Sequence, residues 1–277
     1  MAQLKGILFD KDGTLVHFGA TWNPALLEVM RAQARGDLAA LERLAAMLDF
    51  DLAAGALRET SGFVGGSWAE YGPLWAQALR HRDPAALLGE TQQLVRAALA
   101  RHAAPVGDPA ALMALLARRG LKFGIATNDS EAAARDLAAQ FALPALDFFA
   151  GYDSGHGAKP GPGMVLAFAR HIGAAPAEIA MVGDSTHDLH AARAAGALAV
   201  GVLTGPARRG DLAAHADHVI ATICELPRLL DDLALKPARP AGARRPPPPP
   251  RAPWPLPPPR GRARSRPNRR PGSGPGR

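Results

Sequence analysis

Residues 6–15 read Gly-Ile-Leu-Phe-Asp-Lys-Asp-Gly-Thr-Leu, and their character changes within two positions. The apolar run ending at Phe9 reads as a short buried strand. Asp10 and Asp12 follow it directly, then Gly13 and Thr14. Buried parallel strands are apolar throughout, so the two acids belong just past the strand's C-terminal end. Open α/β sheets bind their ligands at that edge. Two carboxylates held this close repel each other unless a cation lies between them or one holds a proton. A divalent cation, one ionised aspartate and one proton-carrying aspartate would meet both conditions. Gly13 permits a sharp turn and Thr14 can bond within it. Taken alone, the stretch fits a surface Asp/Gly turn equally well.

The rest of the chain favours the first reading. Strands over 121–126, 146–150, 179–183, 198–203 and 218–221 alternate with helices over 108–119, 131–141, 161–172 and 188–195. That alternation predicts an α/β fold, a Rossmann-like parallel sheet covered by helices on both faces. Residues 22–102 differ. Helices are expected over 23–34 (Asn23 as cap, Pro24 in the first turn), over 38–48 after an Asp37 cap, and over 51–58, 71–79 and 84–102. With no strand among them, they predict an inserted all-helical cap domain. The expected division is an α/β core of residues 1–18 and 104–236, a helical cap of 19–103, and a disordered tail of 237–277.

The tail holds 15 of the 26 prolines and 11 arginines without an acidic residue. Such a segment cannot bury enough apolar surface to offset the cost of ordering. Its arginines also account for the formal net charge of +7, because residues 1–236 alone stand near −4. The basic balance therefore says nothing about what the folded part binds. No apolar run reaches the ~18–20 residues of a membrane span, and the first strand begins too early to leave room for a signal peptide. The single cysteine, Cys224, precludes an internal disulfide. It reads as a buried apolar side chain in a reducing compartment. A cytoplasmic protein with no membrane partner is expected.

Four strand ends carry the polar groups that converge in a parallel sheet: Asp10 and Asp12, Thr127 and Asn128, Lys159, then Asp184 and Asp188. Carboxylates offer hard oxygen ligands to Mg²⁺, while a lysine and N–H donors suit phosphate oxygens. His156, His187 and His190 read as solvent or loop residues. Within the insert, residues 61–68 contain three glycines between Ser61 and Ser67. They fit a plain interhelix loop, or a specificity loop in which Ser61, Gly65 and Gly66 approach a ligand.

In order and spacing these residues resemble the haloacid dehalogenase (HAD) superfamily over about residues 4–232. Asp10-Lys11-Asp12-Gly13-Thr14 is similar to its first motif, Thr127 to the second, Lys159 to the third, and Gly183-Asp184-x-x-x-Asp188 to the fourth. The insert resembles a C1-type cap, and the overall pattern is similar to that of phosphoglycolate phosphatases. The resemblance implies a Mg²⁺-dependent phosphomonoester hydrolase acting on a small phosphate ester, 2-phosphoglycolate-like or a sugar phosphate. It implies Asp10 as nucleophile through an aspartyl-phosphate, Asp12 as acid and base, and Lys159 as charge partner. Thr127 and the Asn128 backbone N–H would hold phosphate oxygens. The metal would sit on the Asp10 side chain, the Asp12 carbonyl and Asp184, with Asp188 orienting. Two alternatives remain: a phosphomutase of the same superfamily, and a nucleic-acid-associated protein working through its basic tail.

Overall fold

In the computed structural model, which describes residues 3–58, 60–65, 68–80, 84–144 and 146–235, Gly6–Phe9 forms a fully buried strand, β1. The chain then leaves the sheet. It forms α1 (Phe18–Ala34), α2 (Leu38–Leu48), a hairpin of β2 (Phe50–Asp51) and β3 (Ala56–Leu57), a 3₁₀ turn (Gly62–Gly65), α3 (Trp68–Ala78) and α4 (Pro84–His102). It returns through α5 (Pro109–Ala117), β4 (Lys122–Ala126), α6 (Glu131–Gln140), β5 (Phe148–Ala150) and α7 (Gly163–His171). The last elements are β6 (Ile179–Gly183), α8 (Thr186–Ala195), β7 (Leu198–Val202), α9 (Arg209–Ala213), β8 (His218–Ile220) and α10 (Leu226–Leu235).

Six strands make one parallel sheet in the order β5-β4-β1-β6-β7-β8. β1 lies between β4 and β6, with Phe9 level with Ile125 on one side and Val182 on the other. The chain builds outward to β5 first and then crosses back to build the other half. The crevice beyond the C-terminal end of β1 is thus the point where strand order reverses, the usual ligand site of such sheets. Alternation along each strand divides the core in two. Ile7, Phe9, Ala180 and Val182 face one layer with Met113 and Leu116. Leu8, Ile179 and Met181 face the other, with Phe168 and Leu189.

The insert packs around an apolar cluster of its own, with Leu26, Met30, Leu44, Leu48 and Trp75 at its centre. Its entry and exit strands are tied together: His17 N–H donates to Ala104 O and Val106 N–H to Leu15 O, each at 2.9 Å. Asp37 caps α2 through Ala40 N–H, as its position suggested.

Four local expectations are corrected. Residues 51–58 form the β2–β3 hairpin, not a helix, so the insert is not wholly helical. Asp51 accepts from Ala53 and Ala54 N–H, both at 3.0 Å, and Gly55 takes a positive φ of 66°, so turn chemistry outweighs helical spacing. The first insert helix begins at Phe18, with Pro24 inside it. Burial of Phe18 and Trp22 draws the earlier turn into the helix, and Asn23 accepts from Leu57 N–H instead of capping. Cys224 is exposed, and the neighbouring Ile223 takes the buried place. His187 and His190 lie on α8 and are partly buried, not in a loop, whereas His156 does lie in a loop, where it stacks on Phe148. The 237–277 segment lies outside the described residues.

The insert's own core predicts a contrast between two leucines. Leu26→Ala at a fully buried position should cost about 2–5 kcal/mol, whereas Leu38→Ala, 74% exposed, should stay within about 0.5 kcal/mol. Urea unfolding of both variants checks this, and comparable losses would mean that the insert does not pack around Leu26.

Candidate active site

The site is built around one buried ammonium. Lys159, in the loop before α7, donates to Asp10 Oδ1 and Asp188 Oδ1, each at 2.6 Å, and to Ala126 O at 2.9 Å. All three of its N–H donors are thereby used. β1 carries Asp10 to this point and β4 ends in Ala126, so adjacent strand ends aim at one lysine. Burial alone would lower the Lys159 pKa, but Asp10 and Asp188 outweigh it and hold the ammonium above the ordinary lysine value.

Asp184 completes a second feature. It follows β6, and its carboxylate, with those of Asp10 and Asp188, offers oxygen atoms all within 4.8 Å of one another. Gly13 and Gly205 flank Asp184 so closely that a Cβ on either would overlap its carboxylate. Thr204 Oγ1 donates to Gly13 O at 2.5 Å and ties the two glycine-bearing loops together. Asp188 is held independently. Its Oδ2 accepts from Ser185 N–H and Oγ–H in a reciprocal cap of α8.

Three buried carboxylates thus lie together, and two of them pair with one ammonium. The excess negative charge appears in their proton affinities. Asp10 is pushed from 3.8 up to about 7, first by burial, against the pull of Lys159, with Asp188 and Asp12 adding to the rise. Asp184 is raised well above its usual range by burial, then by Asp10 and Asp188. All-oxygen donors with unbalanced negative charge fit a hard divalent cation such as Mg²⁺.

Asp12 faces a different environment. Its carboxylate pairs with Lys11 Nζ at 2.5 Å, and Lys11 also reaches Asp129 at 3.1 Å. The Asp12 side chain therefore stands apart from the Asp10, Asp184 and Asp188 cluster. Lys11, between the two acids, is buried; only the alternation of charge along Asp10-Lys11-Asp12 hinted that it has partners. Asp129 was likewise missed.

Thr127 is buried at the end of β4, where its hydroxyl accepts from Asp129 N–H at 3.0 Å and keeps its own proton to donate. The Asn128 side chain is committed elsewhere. Its Nδ2 donates to Lys159 O at 3.0 Å, and its Oδ1 accepts from Lys159 N–H at 2.9 Å. This two-point clamp fixes the backbone that carries the ammonium, a role the sequence reading did not assign. Ser61, in the insert, donates to Leu48 O at 2.6 Å and accepts from Phe63 N–H. Gly65 ends the 3₁₀ turn, and Gly66 lies outside the described residues. The turn reaches the core indirectly. Phe63 lies edge-on to Trp22 at 5.4 Å, and Lys11 Nζ is 5.8 Å from the Trp22 ring centroid.

The chain is similar in sequence and fold to known proteins. Residues 4–196 match the haloacid dehalogenase-like hydrolase model. Phosphoglycolate phosphatase of Rhodospirillum rubrum is 33% identical over 204 residues, 69% of this chain and 76% of the relative. The phosphoglycolate phosphatase of Neisseria meningitidis is 35% identical over 132 residues, 44% of this chain and 54% of the relative. Among solved structures, a HAD family hydrolase from Deinococcus radiodurans, with bound phosphate and sodium, superposes with a TM-score of 0.60 at 21% identity. That superposition covers 85% of this chain and 98% of the other, and shows the shared fold. With the family model matched from before Asp10 to beyond Asp188, this chain belongs to the haloacid dehalogenase-like hydrolases and is similar to their phosphatases.

Proposed function

We propose that this protein is a cytoplasmic, Mg²⁺-dependent phosphomonoester hydrolase acting on a small metabolite of the 2-phosphoglycolate or sugar-phosphate kind. One observation carries the reading: Asp10, at the end of the central strand, is held by a buried ammonium and adjoins two further buried carboxylates. Similarity to relatives named phosphoglycolate phosphatase supports the substrate class.

In this reading Asp10 attacks phosphorus. Its O–P bond forms as the ester P–O bond breaks, and the bonding pair leaves with the alcohol oxygen. Asp12 gives that oxygen a proton, which an alkoxide needs and a better leaving group does not. Asp12 then takes a proton from water, whose oxygen attacks the same phosphorus and returns Asp10 as a carboxylate. Lys159 offsets charge on Asp10 and on the phosphoryl group, while the Thr127 hydroxyl and Asn128 N–H bind phosphate oxygens. Asp10, Asp184 and the Asp12 carbonyl would hold Mg²⁺, with Asp188 orienting, and the ion would supply positive charge against the approach of two anions. Residues 1–18 and 104–236 act as the catalytic core and 19–103 as a C1-type lid. The hydrogen-bonded segments at 15–17 and 104–106 serve as its hinge.

Asp10→Asn should abolish turnover, because an amide is a poor nucleophile. Rapid quenching with ³²P-labelled 2-phosphoglycolate should trap labelled protein from the wild type and none from the variant. Equal labelling of both would remove Asp10 from the nucleophile's role. A long-lived label that transfers to sugar phosphates and resists water would replace hydrolase with mutase.

The metal assignment predicts a pH dependence. Asp10 holds its proton more tightly folded than unfolded, so the metal-free fold binds more protons between about pH 4 and 7 and loses stability as pH rises through that window. Mg²⁺ binds the ionised carboxylates, so its stabilising effect should grow with pH. Burial lowers the pKa of His187 and of His190, which pulls the opposite way, and Asp10→Asn isolates the aspartate's share. The expected Tm gain from Mg²⁺ is larger at pH 8 than at pH 5 and nearly absent in Asp10→Asn. A gain independent of pH in the wild type would place the metal elsewhere.

A further inference from the structure

Among the described residues, the indole Nε1 of Trp22 is a buried side-chain donor with no hydrogen-bond partner. A buried N–H left unpaired is costly and rare, so each instance calls for a physical reason. The same insert shows that an indole here can be satisfied. Trp75 Nε1 donates to Gln33 Oε1 at 2.5 Å, and Gln33 in turn donates to Thr91.

Trp22 differs from Trp75 in its position. It is only 6% exposed, and its ring is bracketed by Phe18 at 6.1 Å, Phe63 at 5.4 Å and the Lys11 ammonium at 5.8 Å. Lys11 is the residue that grips Asp12 at 2.5 Å. Asp12 must reach the leaving oxygen of the ester, so groups beside the Lys11–Asp12 pair border the alcohol part of a bound substrate. An indole N–H can only donate, and so it requires an acceptor. Lys11 is already paired with Asp12 and Asp129, so the acceptor must come from the substrate itself, and a 2-phosphoglycolate-like ester carries one in its carboxylate.

We propose that Trp22 Nε1 is the recognition donor for a second oxygen group, a carboxylate, carried by the alcohol part of the substrate; this subsite rests on the phosphatase reading above. With the insert seated on the core, the N–H is sealed off and unpaired. An ester that carries the carboxylate satisfies it on closure. An ester that lacks the group leaves it unpaired and is rejected, as in sites built to hydrogen-bond one substrate feature. Phe63, which packs on the same indole, couples the turn at residues 62–65 to this choice.

The test uses a matched pair, 2-phosphoglycolate and ethyl phosphate, which differ by a carboxylate in place of a methyl group. Trp22→Phe keeps an aromatic ring and removes the N–H. It should lower kcat/KM for 2-phosphoglycolate by about tenfold or more and for ethyl phosphate by no more than about threefold, the size expected for one hydrogen bond to a charged group. No loss on 2-phosphoglycolate, or equal losses on both esters, would overturn the proposal. If the wild type hydrolyses ethyl phosphate, the phosphatase reading survives either result. A second measurement needs neither turnover nor the folding of Trp22→Phe. In ¹⁵N-labelled Asp10→Asn protein, 2-phosphoglycolate should shift the Trp22 indole N–H resonance, and ethyl phosphate should leave it in place. An unmoved resonance at saturating 2-phosphoglycolate would also sink the proposal.

Discussion

The structure depends on one electrostatic constraint: Asp10, Asp184 and Asp188 are buried together with a single ammonium among them. Carboxylates removed from water repel strongly, and the fold tolerates them because Lys159 gives all three of its donors to Asp10, Asp188 and a carbonyl. The remaining negative charge is what a divalent cation would neutralise. The surroundings are arranged to hold this cluster in place. Glycines at 13 and 205 leave room for the Asp184 carboxylate, Ser185 fixes Asp188, and Asn128 clamps the Lys159 backbone from both sides.

A second ion cluster lies beside the first. Lys11 holds Asp12 and Asp129, so the two aspartates of the opening motif, two residues apart, meet different cations. Separate environments allow two like side chains to take different chemical roles. Backbone geometry produces the separation. Asp10 continues the line of β1, while Asp12 stands where the chain enters the turn over residues 13–15, which Gly13 opens with a φ of 82°.

The insert gains meaning from where its aromatic residues fall. Most of its apolar side chains serve its own cluster, but Trp22 also touches the Lys11 ammonium and links the turn at Phe63 to the core. Ser61, which by sequence looked available to a ligand, instead secures the backbone between Leu48 and Phe63. The link from this turn to the core therefore rests on an aromatic contact that no glycine-rich pattern signals.

By itself the amino-acid sequence determined the α/β class, the convergence of Asp10, Lys159, Asp184 and Asp188, and the long insert between the first two motifs. Those properties follow from strand periodicity and from polar residues at strand ends, which are local patterns. It misread residues 51–58 because Asp51 and Gly55 favour a turn whose stability depends on Asp51 accepting two backbone N–H groups and pairing with Arg58. It also placed Cys224 inside and Asn128 only at phosphate. Those features, together with the pairing of Lys11 with Asp129 and the unpaired indole of Trp22, were decided by the tertiary structure. Each depends on contacts between segments distant in sequence or on which face of an element is covered, and no spacing rule along the chain encodes either.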